Sequence, residues 1–121
     1  ANLDIMERES LFDRAADMGV YLQKRLRDEF GDHPHVGEVR GLGMIAAIEV
    51  VKDRESRSTF APELKMPIKI FRRLLEKGII ARAAGVSGIA VCPPYVIERA
   101  EIDAVVGAIR ETVDEVVPAT L

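Results

Sequence analysis

Apolar residues recur at helical spacing in the first quarter of the chain. We predict one amphipathic helix here, because apolar residues three or four positions apart form a single stripe with charged residues between them. The helix covers residues 7–30. Asp4 is the predicted N-cap, and Glu7 would complete a capping box with it. Gly31 is predicted to end the helix in the left-handed conformation. The stripe consists of Leu11, Ala15, Met18, Leu22 and Leu26.

Two later stretches predict further helices. One follows Pro67 and ends at Gly78, and the other runs from about Glu98 to Val117, where Pro118 stops it. The predicted buried positions are Ile68, Phe71, Leu74 and Leu75 in the first of these helices, and Ile102, Val105, Val106, Ile109, Val113 and Val116 in the second.

The residues between the first two helices predict strands. Val36 and Val39 suggest a short strand, and the glycines in residues 40–43 suggest a sharp turn or bulge. Residues 44–51 are almost wholly apolar, which is typical of a strand covered on both faces. The polar residues 52–59 should form an exposed connection.

A hairpin is predicted after Gly78. Residues 79–84 and 89–92 are the two strands, and residues 85–88 form the turn. The order of helix, strands, helix, hairpin and helix predicts an α+β fold. We expect a small antiparallel sheet of three to four short strands with helices packed on one side.

Composition narrows the class of protein. A chain of 121 residues that is 48% hydrophobic and 31% charged is typical of one globular domain. Its net charge of −3 argues against nucleic acid or an acidic membrane as a partner. A single cysteine excludes an internal disulfide and fits a reducing cytoplasm. Because the chain begins at Ala1 without Met or a signal-peptide pattern, we expect a piece of a larger protein.

Few residues have the pattern of a reactive site. His33 and His35 lack the further ligands of a zinc site, so a solvated loop is expected there. Cys92 lies in an apolar run and is expected to pack as a small hydrophobe. Gly41 and Gly43 lack the third glycine of a dinucleotide fingerprint and precede a strand, so a turn is expected.

Among the cationic residues, Arg82 is the one candidate for binding an anionic ligand. It lies in a predicted strand of small and apolar residues, where a guanidinium must reach water or meet an anion. Its planar fork matches a carboxylate, and the alternative is an edge-strand arginine with its head in solvent. None of the lysines looks desolvated enough to form an imine, since all fall on predicted polar faces or loops. They are Lys24, Lys52, Lys65, Lys69 and Lys77.

The ordered segments resemble a known family. VGEVRGLGMI at residues 36–45, GIIAR at 78–82, VCPPY at 91–95 and EID at 101–103 resemble class III pyridoxal-phosphate-dependent aminotransferases, which include ω-amino acid:pyruvate transaminases. The helix at residues 7–30 matches the one that leads into the first of these segments. The resemblance covers nearly the whole chain.

The resemblance implies that residues 1–121 are the C-terminal small domain of such an enzyme, without its large cofactor-binding domain. The parent would be a cytoplasmic homodimer that uses pyridoxal 5'-phosphate to move an amino group between an amine or ω-amino acid and a keto acid such as pyruvate. Arg82 matches an arginine that, in members of this family, binds the substrate carboxylate and moves aside when the substrate is an amine without a carboxylate.

The chain departs from the family pattern in two respects. Glu98 stands where the last helix commonly has a Thr or Ser cap. The chain also has no cofactor lysine in the family context, no aspartate for the pyridinium nitrogen and no phosphate-binding loop. Catalytic, cofactor-binding and metal-binding residues are therefore not expected within it, and alone it should be inactive. The alternative is a stand-alone α+β binding module without this chemistry.

Overall fold

The computed structural model describes residues 1–121, which form four α-helices and four strands. The strands make one antiparallel sheet with a helical layer on one face, which confirms the predicted α+β fold. None of the helices has the length and apolarity needed to cross a membrane. The helices are α1 (Asn2–Arg8), α2 (Leu11–Phe30), α3 (Met66–Glu76) and α4 (Arg99–Thr120), the strands are β1 (Val36–Leu42), β2 (Ile45–Val50), β3 (Arg82–Ala84) and β4 (Gly88–Val91), and a 3₁₀ turn covers Pro62–Leu64.

The sheet has the strand order β1-β2-β4-β3, and its side chains alternate between two faces. On β2, Ala46, Ile48 and Val50 are buried, and the first two pair with the buried Val91 and Ile89 of β4. These side chains meet the helices. The intervening positions of each strand therefore point away from the helical layer.

The helices cover the inner face of the sheet with apolar stripes. Burying one large apolar side chain stabilises a fold by about 1.5–3 kcal/mol, so this shared core holds the two layers together. The fully buried helical residues include Leu22, Leu26, Phe30, Met66, Ile70, Leu74, Ile102, Val106, Ile109 and Val113.

Helix α3 buries a different stripe from the predicted one. Met66, Ile70 and Leu74 lie four residues apart and are buried, whereas Ile68 and Leu75 are exposed. The prediction is wrong at these two positions, because a spacing of four residues keeps 66, 70 and 74 on one face of a helix. Leu74 was assigned correctly.

The predicted first helix is two helices. The chain breaks between α1 and α2 at Ser10, whose φ of 50° is left-handed. Asp4 lies inside α1 and is not the N-cap. Gly31 is right-handed, with φ of −53°. Glycine is needed there for space, since a Cβ would lie 2.6 Å from the Arg27 carbonyl oxygen.

The β1–β2 hairpin is longer than predicted. Strand β1 continues through residues 40–42, and the turn consists of Gly43 and Met44, with Leu42 paired to Ile45. Gly43 has φ of +59°, as a tight turn requires. The turn predicted within residues 40–43 therefore lies at its last residue, and a bulge that was not predicted lies at Gly37, where the register shifts between Val36 and Glu38.

The second hairpin has the predicted antiparallel pairing, but its first strand is shorter. Strand β3 begins at Arg82 and pairs with β4 from Arg82–Ala90 to Ala84–Gly88. Ile79 and Ile80 precede the sheet.

Strand β2 is buried on one face only, because Ile45 on its other face is largely exposed. The prediction that this strand is covered on both faces is therefore not met within this chain.

Helix α4 begins as predicted and continues beyond its predicted end. Glu98 is the N-cap, and its amide donates to Glu101 Oε2 at 2.8 Å in a capping box. Pro118 lies inside the last turn and does not stop the helix. The buried Val117 anchors this turn, and the Thr120 hydroxyl donates to the Val116 carbonyl at 2.8 Å.

Helix α2 lies directly against the β1–β2 turn. A Cβ at Gly19 would be 2.6 Å from Gly43 Cα, so the two backbones meet without an intervening side chain. The buried Gln23 donates from Nε2 to the carbonyl oxygens of Gly43 at 2.9 Å and Ile45 at 3.0 Å. This contact sets the position of the turn relative to the helix.

Gly19→Ala should destabilise the chain although it improves helix propensity. The new methyl group would overlap the Gly43 backbone, which costs about 1–3 kcal/mol. Gly107→Ala is the matched control, because Gly107 lies in α4 and a Cβ added there would meet open space. It should stabilise by up to about 1 kcal/mol. Urea denaturation of both variants checks this, and equal effects would contradict the close contact.

His33 is buried where the connection from α2 to β1 meets α4. Its side chain is 1% exposed, and Nε2 lies 2.8 Å from Asp114 Oδ1. Nδ1 accepts the His35 amide at 3.0 Å, so the ring proton is on Nε2 and is donated to Asp114. The predicted solvated loop is wrong at His33, because residue 33 folds under α4.

Burial lowers the pKa of His33, and the hydrogen bond to Asp114 only partly offsets this effect. Arg110, which also faces Asp114, lowers the His33 pKa further. Both ring nitrogens of His33 are engaged within the protein. No group of three or more His, Cys, Asp or Glu side chains is placed to hold a metal ion.

The free energy of unfolding should decrease as pH falls below about 6.5, the ordinary pKa of histidine. As pH falls, residue 33 takes up a proton in the unfolded chain before it does so in the folded chain. The stability that neutral His33 contributes is therefore fully present above about pH 6.5, and below that pH it is lost at up to about 1.4 kcal/mol per pH unit. Urea denaturation between pH 7.5 and 5.5 measures the slope. His33→Gln should flatten it and His35→Gln should not, and an unchanged slope in His33→Gln would refute the assignment.

Candidate functional site

The sheet face that points away from the helices carries its side chains in rows across the strands. The register pairs Arg40 with Ala47, Ala47 with Ala90, and Ala90 with Arg82. These four residues therefore form one row, in which two small side chains separate two arginines. The small residues leave open space between the guanidinium groups.

Arg40 is neutralised by the protein itself. Its Nη1 donates to Glu38 Oε2 at 2.9 Å and to Glu49 Oε2 at 2.7 Å. The Ser87 hydroxyl donates to Glu49 Oε1 at 2.6 Å. Hydrogen bonds from Ser87 and Arg40 lower the pKa of Glu49, so its carboxylate stays ionised at neutral pH. With two carboxylates against it, Arg40 has little capacity to attract another anion.

Arg82 differs from Arg40 in its partners. Both arginines are exposed and lie on edge strands, and Arg82 is the first residue of β3, but no carboxylate of the chain pairs with Arg82. Its guanidinium keeps all five N–H donors available for a carboxylate, which it could bind through two parallel hydrogen bonds. The position fits both interpretations drawn from the sequence, the solvated edge arginine and the anion-binding one.

An apolar hollow of about 420 Å³ lies at one end of the sheet, between the β1–β2 turn, the first turns of α2 and the segment after β4. Leu42 and Ile45 border it and are 86% and 65% exposed. Cys92 also borders it and is exposed, so the prediction that it packs as a small buried hydrophobe is wrong. Val91, the last residue of β4, takes the buried position, and Cys92 follows on the opposite face.

The segment after Cys92 is held in place by Arg14 of α2. Its Nε donates to the Tyr95 carbonyl at 3.2 Å and its Nη2 to the Ile97 carbonyl at 2.9 Å. The Phe12 ring lies 6.4 Å from the Tyr95 ring between centroids. Arg14 thus fixes one wall of the hollow.

The five lysines of the chain are either exposed or paired with carboxylates. Lys24 is paired with Asp28, and Lys77 Nζ lies 2.9 Å from Glu115 Oε1 and 3.2 Å from Glu111 Oε2. The hydrogen bond to Glu115 raises the pKa of Lys77. An ammonium group held by two carboxylates keeps its proton, so Lys77 is not a ready nucleophile. The remaining three, all exposed, are Lys52, Lys65 and Lys69.

Sequence reasoning missed several residues that shape this face. Glu49 was the one available signal, since it is the only charge in the apolar run of residues 44–51. Ser87, Gln23 and Arg14 carry no such signal, because their partners lie at least 20 residues away along the chain and only the fold brings them together.

The sequence of this chain matches one protein family over nearly its whole length. A profile of the family "Aminotransferase class-III" matches residues 1–113. The diaminobutyrate–2-oxoglutarate transaminase of Halomonas elongata is 42% identical over 120 residues, which are 98% of this chain and 26% of that protein. The putrescine–pyruvate aminotransferase of Pseudomonas aeruginosa is 36% identical over 121 residues, 99% of this chain and 26% of that one.

Solved structures have the same fold. A transaminase from directed evolution by ancestral reconstruction superposes with a TM-score of 0.94 at 50% identity, over 99% of this chain and 26% of that one. An (S)-enantioselective ω-transaminase from Thermomicrobium roseum gives a TM-score of 0.88 at 38% identity, over 95% of this chain and 25% of that one. The chain therefore spans about a quarter of the length of the relatives it matches, and it belongs to the class III aminotransferase family.

Proposed function

We propose that residues 1–121 form the C-terminal, substrate-recognition domain of a pyridoxal-phosphate-dependent class III aminotransferase. The full enzyme transfers an amino group between an amine or ω-amino acid and a keto acid such as pyruvate. Family membership supports the reaction, and the quarter-length match supports a separate, larger part of the same polypeptide. We further propose that the full enzyme is a cytoplasmic homodimer.

The role of Arg82 rests on its contrast with Arg40. Both arginines lie in the same row of the helix-free face, yet the protein supplies two carboxylates to Arg40 and none to Arg82. An uncompensated guanidinium above alanine side chains is suited to a carboxylate that arrives with the substrate. In our proposal Arg82 binds the carboxylate of the keto acid and so orients its carbonyl group.

The same position suits substrates without a carboxylate. Arg82 has a long flexible stem on an edge strand, and its neighbours in the row, Ala90 and Ala47, do not confine it. Its head can return to water when a plain amine is bound, so no unpaired charge is left buried. One arginine thereby serves both halves of the reaction.

The cofactor would be held elsewhere in the polypeptide. When bound, pyridoxal phosphate supplies the electron sink for amino transfer. The residues of this chain do not fit it, because every lysine is exposed or ion-paired. We therefore assign to this chain the binding and orientation of substrate, and expect it to be inactive alone.

Arg82→Ala in the full-length enzyme should lower kcat/KM for a keto acid by roughly ten- to a hundredfold, the usual worth of hydrogen bonds to a charged group. A primary amine without a carboxylate should lose less than about threefold. Separate half-reaction kinetics measure both values. Arg72→Ala, which removes an exposed arginine from α3 on the helical layer, is the matched control and should change neither. Equal losses for both substrates would contradict the carboxylate role.

The 121-residue chain mixed with pyridoxal phosphate and reduced with borohydride should show no stoichiometric adduct at any one lysine. Protonated, solvated amines react slowly and without preference. Mass spectrometry of the tryptic peptides locates any adduct. Full modification of a single lysine would refute the proposed division between this chain and the rest of the enzyme.

A further inference from the structure

The strand that carries Arg82 is short and has little support of its own. Strand β3 has three residues and lies at the edge of the sheet, where β4 is its only neighbouring strand. A two-stranded hairpin is marginally stable by itself in water. The place from which Arg82 projects therefore depends on what holds the turn between β3 and β4, residues 85–87, against the rest of the sheet.

We propose that Ser87 is a positioning residue for Arg82, because it links the β3–β4 turn to strand β2. Ser87 is buried, and its carbonyl oxygen accepts the Val50 amide at 2.9 Å. Its hydroxyl donates to Glu49 Oε1 at 2.6 Å. One backbone and one side-chain hydrogen bond thus attach the turn to the last two residues of β2. This role rests on the proposed function, which gives Arg82 a substrate carboxylate to bind.

Arg40 holds the acceptor of this link in place. Glu38 and Glu49 lie directly opposite each other on β1 and β2, where two like charges repel. Arg40 Nη1 donates to both carboxylates, and its bond to Glu49 uses Oε2, which leaves Oε1 for the Ser87 hydroxyl. A hydrogen bond to an ionised carboxylate is stronger than one between neutral groups. The paired arginine therefore supports the link to the hairpin that carries the unpaired one.

The hairpin transmits the position of Ser87 to Arg82 through its backbone. A Cβ at Gly88 would lie 2.7 Å from the Ala84 carbonyl oxygen, so β3 and β4 are in close contact next to the turn. From the pair Ala84–Gly88 the register continues without a shift to Arg82–Ala90. Ser87 thus fixes where the Arg82 side chain starts and leaves the guanidinium free to move. Misplacing a substrate-binding group by about 1 Å can cost up to about a hundredfold in rate.

Half-reaction kinetics of Ser87→Ala in the full-length enzyme test this role. We expect kcat/KM for a keto acid to fall by about three- to tenfold through a higher KM, because a misplaced guanidinium weakens substrate binding. A primary amine without a carboxylate should change by less than about twofold. Thr112→Val is the matched control, since it removes a buried hydroxyl that donates to the Ala108 carbonyl within α4, and it should change neither value. Equal losses for both substrates would overturn the proposal, as would a fall in kcat with unchanged KM.

A double variant shows whether Ser87 acts through Arg82. In the Arg82→Ala enzyme there is no guanidinium to position, so adding Ser87→Ala should cause no further loss with the keto acid. Residues that act as one unit give such non-additive effects, whereas independent residues give additive ones. A further loss as large as that of Ser87→Ala alone would overturn the proposal.

Amide hydrogen exchange measures the link without any substrate. In the full-length enzyme, the peptide that covers residues 82–90 should exchange about tenfold faster in Ser87→Ala, because the hairpin opens more often, and Thr112→Val should leave it unchanged. Unchanged exchange in Ser87→Ala, with a selective keto-acid loss in Arg82→Ala, would overturn the positioning role alone. An Arg82→Ala enzyme with normal keto-acid kinetics would overturn the proposed function and this role together, so the two failures are distinguishable.

Discussion

The register of the four antiparallel strands determines what this chain presents to its surroundings. In a strand a shift of one residue moves every side chain to the opposite face. The pairing of Ile48 with Ile89 under the helices therefore also determines that Ala47, Ala90 and Arg82 point the other way. The core and the candidate site are two consequences of one pairing pattern, so a substitution that shifted the register would lose both.

On the sheet face without helices, pairing with carboxylates distinguishes Arg40 from Arg82, which the sequence alone does not. Arg40 is held by Glu38 and Glu49, and Ser87 further fixes Glu49. A guanidinium that is already paired with carboxylates gains little from another anion, whereas an unpaired one can gain two charge-assisted hydrogen bonds. In the proposed function, an incoming carboxylate therefore binds Arg82, at the opposite edge of the sheet from Arg40.

Much of the fold could be predicted from sequence, because the helices have a clear apolar period and the hairpin strands are bounded by glycines. The errors in the prediction have physical causes that apolar spacing does not encode. Ser10 adopts a left-handed conformation that apolar spacing does not encode, and Pro118 is tolerated in the last turn of α4 next to the buried Val117. The buried position of His33 depends on Asp114, which is 81 residues away along the chain. Arg82 is the candidate that the sequence indicates, because it interrupts an apolar strand, but its lack of a carboxylate partner is visible only in the structure.

The apolar sequence of β2 is the remaining disagreement between the sequence pattern and the structure. Residues 44–51 are typical of a strand covered on both faces, yet in this chain the helices cover only the face of Ala46, Ile48 and Val50. If, as we propose, a larger part of the enzyme lies against the helix-free face of the sheet, it also covers Ile45, and β2 then has the two-sided burial that its sequence indicates. The same neighbour would place a cofactor within reach of Arg82, so the exposed apolar residues and the unpaired guanidinium have one common explanation.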